Sequence, residues 1–285
     1  VAQLLKREHL GWREIAEIFV KYRQVAEPAE GVMWIDGLPR KQFEEGFGSN
    51  TTLKTAQTRV ARYWPMFDRS FALFKQQFVA EATVPQEVKE QVLKATTVEE
   101  VQGIVGKPAF YATTICRNEK GERLDGTWLL IEKVQLGSMF SIKTPCTPKR
   151  YVTFDTELKN SLEKYYNSVK GGDKDEILES VLRHCYLWFN FMPLSRGTAA
   201  VGMYWMFALL LAAGYKEVGT IPKAFQCDWE ALLTDNQNDY ITKMKSWIVI
   251  EPVDITQFPV VDKEIVTLRD MLRVLGVAAE LAPLC

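Results

Sequence analysis

The stretch RHCYLWFNFMPLSRGTAAVGMYWMFALLLAAG, residues 183–214, decides the fold predicted for this chain. Apolar runs lie on both sides of a Met-Pro turn, and after its first two residues the stretch holds one charged side chain, Arg196. The pattern predicts an apolar helix over residues 198–213, with Ser195 as its N-cap and Gly214 as its stop. A helix without a polar face is typical of a protein core.

The same apolar run raises a membrane-spanning alternative, because roughly 20 apolar residues cross a bilayer. Residues 197–215 are uncharged but contain three glycines, and the preceding apolar stretch, 177–191, carries Glu179 and Arg183. These features favour a buried central helix. The chain is therefore predicted to contain no membrane span.

Arg196 is the first candidate binding residue. Burying a guanidinium without a partner is costly, so this side chain is predicted to meet an anion. At a helix amino terminus, its donors add to the free backbone N–H groups and to the positive end of the helix dipole. The sequence therefore predicts that Ser195, Arg196, Gly197 and Thr198 bind a phosphate or a carboxylate.

Two alternatives to a bound ligand remain open for Arg196. The side chain points outward from a loop between two helices, or it pairs with a structural carboxylate of the chain itself. The carboxylates considered for this pairing are Asp155, Glu157, Asp228 and Glu230.

Helical spacing of apolar residues predicts long helices at about 2–27 and 50–80, the second kinked or split at Pro65. The spacing of apolar residues is no longer helical in TWLLIEKVQLGSMFSIKT, residues 127–144. This change predicts a β-hairpin about a glycine turn. A short helix at about 226–234 is expected to be capped by Asp228 or Cys227. Further helices are predicted at about 154–169, 175–191, 237–247 and 262–276.

The 285 residues are predicted to form one mainly α domain of the α+β class. Its helical core is expected to take about residues 1–100 and 150–285, and a small β-containing lobe about residues 105–150. The net charge of −1 gives no electrostatic case for nucleic acid. Five cysteines and two histidines without metal-ligand spacing predict no metal site.

Several blocks of the sequence resemble a known family. These are GWREIAEIFVKYRQVAEPAEGVMWIDGLPRKQFEEGF (11–47), MPLSRGTAAVGMYWMFALLLAAGYKEVGTIPKAFQCDWEALL (192–233) and the triplet 245–247. They are similar to the C-terminal domain of a tetratricopeptide-repeat family that has plant suppressors of effector-triggered immunity and an animal member. The resemblance implies protein partners. It also implies repeats before residue 1, in a longer protein of which this chain is a fragment, because no period of about 34 residues is present here.

A more distant resemblance concerns mechanism. LESVLRHCYLWFNFMPLSRGTAAVGMYWMFALLLAAG (178–214), followed by DWEALL (228–233), is similar to the closing half of the bacterial AvrB effectors. These have a divergent Fic fold and are understood to act as protein glycosyltransferases that use a rhamnose nucleotide. By matching motif positions, the resemblance implies a Fic/AvrB-like helical core in which Arg196 and Asp228 belong to one pocket.

The loop 189–197 departs from the wider Fic family. AMP-transferring Fic enzymes carry H-x-F-x-x-G-N-G-R, where the histidine is the general base and the glycines hold phosphates. Here the loop reads FNFMPLSRG, without the histidine or the G-N-G, and His184 lies too far upstream to replace it. AMP transfer by the usual Fic mechanism is therefore not predicted.

Arg59 is a further candidate for the same pocket. It lies with Arg62 on the predicted second helix, and the repeat-protein family resembles this chain near that position. The resemblance implies that Arg59 faces the pocket. A solvated or surface-paired arginine on that helix is the alternative.

Two functions follow from these residues. The first is a glycosyltransferase that moves a rhamnosyl- or fucosyl-type sugar to a protein hydroxyl. Arg196 would hold the diphosphate of a nucleotide-sugar co-substrate, Asp228 would orient or deprotonate the acceptor, and no cofactor would be tightly bound. The second is a non-catalytic interaction domain of a repeat-containing scaffold. The plant relatives suggest cytoplasm and nucleus and the animal relative the secretory pathway, so no compartment is predicted.

Overall fold

The computed structural model describes residues 2, 5, 9–38, 53–54, 64–134, 137–145, 147–223 and 225–257. This part of the chain is mainly helical with a small β lobe, and the predicted fold class is confirmed. The helices are α1 (Trp12–Ala26), α2 (Trp64–Glu81), α3 (Gln86–Lys94), α4 (Val98–Val105), α5 (Pro148–Gly171), α6 (Lys174–Phe191), α7 (Thr198–Ala212), α8 (Cys227–Leu232) and α9 (Gln237–Lys245). The strands are β1 (Leu53–Lys54), β2 (Ala109–Arg117), β3 (Arg123–Val134), β4 (Gly137–Lys143), β5 (Tyr215–Glu217) and β6 (Ile250–Pro252).

The predicted helix over 2–27 is interrupted, because residues 2 and 5 are helical but a break follows them before α1. Residues 9–11 are not helical, and Gly11 is the N-cap of α1. The Glu14 carboxylate accepts a hydrogen bond from the Gly11 N–H at 2.7 Å and so closes the first turn. The prediction of one continuous helix over 2–27 is therefore wrong.

The predicted helix over about 50–80 is wrong at residues 53–54, which are a strand. α2 is described from Trp64 to Glu81, and residues 55–63 lie outside the described residues. Pro65 does not split this helix, which is continuous after it.

The sheet has the strand order β1-β4-β3-β2 with antiparallel neighbours. The predicted glycine-turn hairpin is confirmed as β3 and β4, in which Leu129 lies opposite Ile142. Inward side chains of the sheet pack against α2, α3 and α4 in one apolar cluster. At the β2 edge, Gln77 of α2 donates to the Thr113 carbonyl at 2.6 Å and accepts from the Thr113 N–H at 2.8 Å.

Helices α5, α6 and α7 form the centre of the larger apolar cluster, with α1 packed beside α7. Gly202 of α7 faces α6 so closely that a Cβ at this position would lie 2.1 Å from the Phe189 ring. The glycine therefore permits the close approach of the two helices. The position of the turn between α6 and α7 follows from this packing.

The predicted apolar core helix is confirmed as α7. Val201, Trp205 and Leu209 are fully buried, and Gly214 follows the helix in the left-handed conformation at φ 85°. Across the described ranges, no helix combines the length and the apolar character that a membrane crossing requires.

Candidate anion-binding site at the start of helix α7

The turn between α6 and α7, residues 192–197, is held by backbone hydrogen bonds to a segment that follows α1. The N–H of Ile35 donates to the Pro193 carbonyl at 2.9 Å, and the N–H of Ser195 donates to the Met33 carbonyl at 2.8 Å. One antiparallel bridge completes the pairing of the two segments. The start of α7 is therefore fixed relative to α1.

Ser195 lies in this turn but does not cap α7. Its hydroxyl accepts from the Met33 N–H at 2.9 Å and donates to the Gly31 carbonyl at 2.9 Å. The N-cap is Gly197, at φ 79°, and no side chain in the described part of the chain caps the helix. The predicted N-cap is therefore wrong, because the serine hydroxyl joins two loops instead. The N–H groups of residues 198–200 have no acceptor within the helix.

Arg196 is exposed, with 43% of its side chain accessible. Its Nε lies 2.7 Å from Oε2 of Glu30, whose side chain is 39% exposed. The Arg196 side chain is exposed and paired with a carboxylate, as the two alternatives to a bound ligand describe. Its partner is a resident carboxylate, though none of the four considered from the sequence. The ligand-binding role of Arg196 stays a prediction.

A second arginine reaches the same helix terminus from α1. The Nε of Arg23 lies 3.4 Å from the position that a Cβ on Gly197 would take. Its Nη1 and Nη2 contact the Glu27 carboxylate at 2.5 and 2.7 Å, and the Tyr204 hydroxyl is within hydrogen-bonding reach. Burial alone would lower the pKa of Arg23, but Glu27 raises it above its ordinary value. Arg23 was not predicted from the sequence, since a basic residue in the last turn of a helix is common.

The buried arginine of this region is Arg150 of α5, which is 1% exposed. It donates to three carbonyl oxygens, those of Asp125 at 2.9 Å, Phe191 at 2.9 Å and Asn190 at 2.7 Å. The last two carbonyls end α6, so the guanidinium lies at the negative end of that helix dipole. Arg150 therefore holds α5, β3 and α6 together. Its neighbour Lys149 is exposed, and nothing in the local sequence distinguishes the two.

Asp228 is buried in the first turn of α8. The N-cap of α8 is Gln226, so the predicted cap at Asp228 or Cys227 is wrong. Burial raises the pKa of Asp228 to about 6, although hydrogen bonds from the Trp229 N–H and from its own N–H act in the opposite direction. The side chain is therefore a carboxyl of raised basicity.

The described contacts do not join all the predicted site residues to one another. Ser195, Gly197 and Thr198 lie with Arg196 at the start of α7, but among the described residues no hydrogen bond or ion pair joins Arg196 to Asp228. Arg59 lies outside the described residues. A common pocket for these residues stays a prediction.

Comparison with known proteins relates the chain to two curated proteins, while no family model matches it. It is 35% identical over 265 residues to Suppressor of RPS4-RLD 1 of Arabidopsis thaliana, covering 85% of this chain and 25% of that protein. It is 27% identical over 270 residues to Tetratricopeptide repeat protein 13 of Homo sapiens, covering 87% of this chain and 31% of that protein. The chain thus spans about a quarter to a third of the length of these relatives.

These relatives agree with the family that the sequence blocks indicated. They do not bear on the resemblance to the AvrB effectors, which stays a prediction. Across the matched region, the chain belongs to the family that contains Suppressor of RPS4-RLD 1 and Tetratricopeptide repeat protein 13.

Proposed function

We propose that this domain is a nucleotide-sugar-dependent protein glycosyltransferase that binds the donor diphosphate at the amino terminus of α7. The observation that carries the proposal is the start of a 15-residue helix that no described side chain caps, with Arg196 beside it. Free N–H groups and the positive end of the helix dipole favour a phosphate at such a position. The resemblance of 178–214 and 228–233 to the AvrB effectors supports the same assignment.

The ion pair between Arg196 and Glu30 is compatible with a bound diphosphate. Both side chains are exposed, and an exposed ion pair contributes roughly 0–1 kcal/mol to stability. A diphosphate offers more charge and more acceptor oxygens than one carboxylate. Replacing Glu30 by the ligand therefore costs little.

In the proposed reaction, the bond between the anomeric carbon of the sugar and the diphosphate oxygen breaks. The same carbon forms a bond to a hydroxyl oxygen of the acceptor protein. The diphosphate leaves with the electron pair, and Arg196 and the N–H groups of α7 stabilise its charge. Asp228 accepts the hydroxyl proton, and its raised pKa of about 6 makes it a stronger base than an ordinary aspartate. By resemblance, the sugar is of the rhamnosyl or fucosyl type.

A non-catalytic protein-interaction domain is the second candidate. It is favoured by the carboxylate partner that Arg196 already has, and by the lack of a described contact between Arg196 and Asp228. One relative is named as a tetratricopeptide-repeat protein, and arrays of such repeats provide extended binding surfaces. In this reading the domain belongs to a scaffold in immune or signalling regulation.

The test is the melting temperature of the chain with a panel of UDP-, GDP- and dTDP-sugars. At about 100 times Kd a ligand adds about 2.7 kcal/mol of stability, which raises the melting temperature by several degrees. Arg196→Met is expected to abolish the shift. Arg13→Met is the matched control, because Arg13 is also exposed and paired with a carboxylate, Asp36.

The other outcomes of this melting-temperature test distinguish the glycosyltransferase from the interaction domain. A shift that persists in Arg196→Met contradicts donor binding at α7. If no nucleotide sugar shifts the wild-type chain, the glycosyltransferase proposal is wrong and the interaction domain replaces it. If a donor binds, Asp228→Asn is expected to retain binding and to lose transfer of radiolabelled sugar to protein.

A further inference from the structure

We infer that Arg23 is a second anion-binding residue at the start of α7, so that this site takes a diphosphate in preference to a single phosphate. The inference rests on the proposed function and adds to it a second binding residue and a preference for a diphosphate over a single phosphate. It is carried by the contacts between α1 and α7.

Two polar atoms at this helix terminus are buried and have no hydrogen-bond partner among the described residues. They are Nε of Arg23 and Oγ1 of Thr198. Thr198 is 3% exposed and is the first residue of α7, and Arg23 Nε lies against its N-cap, Gly197. Buried polar groups in proteins almost always have partners, so two unpaired atoms beside free backbone N–H groups indicate a missing acceptor. An anion at the terminus supplies that acceptor.

The arginines of the site form two similar pairs. Arg23 contacts Glu27 through both terminal nitrogens, and Arg196 contacts Glu30 through Nε. Both glutamates are exposed, at 48% and 39% of their side chains. Each guanidinium therefore faces an exposed carboxylate that a phosphate is able to replace. Two such guanidiniums at one helix terminus match two linked phosphates.

Arg23 is positioned for this role by its surroundings. Only 14% of its side chain is exposed, and the Tyr204 hydroxyl is within hydrogen-bonding reach of the guanidinium. Gly197 has no side chain between Arg23 and the helix terminus, and its φ of 79° suits glycine. An oriented guanidinium loses less conformational freedom on binding than a mobile one.

The test is isothermal titration of the 285-residue chain with inorganic pyrophosphate and with orthophosphate. The wild-type chain is expected to bind pyrophosphate about tenfold more tightly than orthophosphate. Arg23→Gln is expected to weaken pyrophosphate binding about tenfold while changing orthophosphate binding less than about threefold. Glu27→Gln is expected to strengthen pyrophosphate binding about threefold, because it removes a competing carboxylate.

The matched controls are Arg13→Gln and Glu17→Gln. Arg13 and Glu17 form an ion pair with the same i,i+4 spacing on the same helix, α1, and the pair begins ten residues before Arg23. Neither control is expected to change the affinity for either anion. Glu27→Gln keeps the test valid if Arg23→Gln fails to fold, because Glu27 is an exposed surface residue.

The outcomes distinguish this inference from the proposed function. If Arg23→Gln and Glu27→Gln leave pyrophosphate affinity unchanged while Arg196→Met weakens it, Arg23 is not a ligand and the proposed function stands. If nucleotide sugars bind in an Arg196-dependent way but pyrophosphate does not bind, the diphosphate assignment alone is wrong. If the chain binds neither nucleotide sugars nor pyrophosphate, both are wrong.

Discussion

Two arginines lie near the ends of the same short turn, and they differ in burial and in the kind of partner that they bind. Arg150 is buried and donates to carbonyls at the end of α6, while Arg196 is exposed at the start of α7 beside Glu30. The charge of Arg150 is matched by a helix carboxyl terminus, and that of Arg196 by a surface carboxylate. The first arginine holds α5, β3 and α6 together, and the second makes an exposed ion pair.

The difference shows what an isolated charge in a sequence signifies. Arg196 has a long uncharged neighbourhood along the chain, yet it is the exposed member of the pair. Arg150 follows directly after Lys149 and is the buried one. Burial of a guanidinium is set by the backbone carbonyls that the fold brings to it, so the charge of its sequence neighbours is a poor guide.

Replacing Arg150 is expected to have the largest effect on stability. Arg150→Met should lower the free energy of unfolding by at least about 3 kcal/mol, because three interior carbonyls lose a charged donor. Urea denaturation with an unchanged slope measures this loss. Arg150→Lys should also be destabilised, since one ammonium does not reproduce the planar fork. If Arg150→Met lowers the free energy of unfolding by less than about 1 kcal/mol, Arg150 contributes no more to stability than an exposed ion pair does.

The contrast between buried and exposed charge extends to the carboxyl groups. The folded-state pKa of Asp228 is about 6 against an ordinary value of 3.8, so the folded chain binds a proton more readily than the unfolded chain. The contribution of Asp228 to stability therefore increases as the pH falls from about 7 to about 4. Asp228→Asn should be more stable than the wild type by on the order of 2 kcal/mol at about pH 7.5.

This difference in stability should fall below about 1 kcal/mol as the pH approaches about 4, since the carboxyl is then protonated in the folded chain and partly protonated in the unfolded chain. Denaturation midpoints of the two chains across this range test it. Equal differences for Asp228→Asn at both ends of the range would mean that Asp228 does not titrate there.

Ser195→Ala should have an intermediate effect. The substitution leaves the Met33 N–H and the Gly31 carbonyl without their partner, at a cost of about 1–3 kcal/mol. Ser246→Ala is the control, because this exposed hydroxyl makes one local bond, to the Lys243 carbonyl. Chemical denaturation compares the two variants. Equal stabilities would show that Ser195 does not hold the turn against the segment after α1.

The smallest effect is expected for Arg196→Met. An exposed ion pair contributes roughly 0–1 kcal/mol, so the free energy of unfolding should change by less than about 1 kcal/mol. The denaturation midpoint, measured beside that of Arg150→Met, provides the test. A loss as large as that of Arg150→Met would assign Arg196 a structural role and would weaken the case for ligand binding.

The helices of the core were predictable from the sequence because their signals are local. The predicted helices at 175–191 and 198–213 agree with α6 and α7 to within a residue at either end. The β3–β4 hairpin was likewise visible as a change of period about Gly137. Apolar spacing, glycine stops and turn residues are properties of neighbouring positions, and the fold retains them.

The pairings of the candidate site were not predictable in the same way. The partner of Arg196 is Glu30, and the hydroxyl of Ser195 bonds to Gly31 and Met33, all in a segment that precedes the turn by more than half the chain. N-cap preferences describe serine hydroxyls that bond to the backbone of the helix they precede. Here the hydroxyl of Ser195 bonds to a distant segment instead. The start of α7 was predictable from the sequence, whereas the partners of Ser195 and Arg196 required the fold.

The hydrogen bonds between Gln77 and Thr113 have a consequence for contacts between molecules. The side-chain amide of Gln77 makes the two bonds that a residue of an adjoining strand would make. An outer strand with unpaired backbone groups is a template for association with other chains. Here a second chain would have to break both bonds and displace α2 before it paired at this position. Gln77 thus blocks the pairing of another strand with β2 at Thr113.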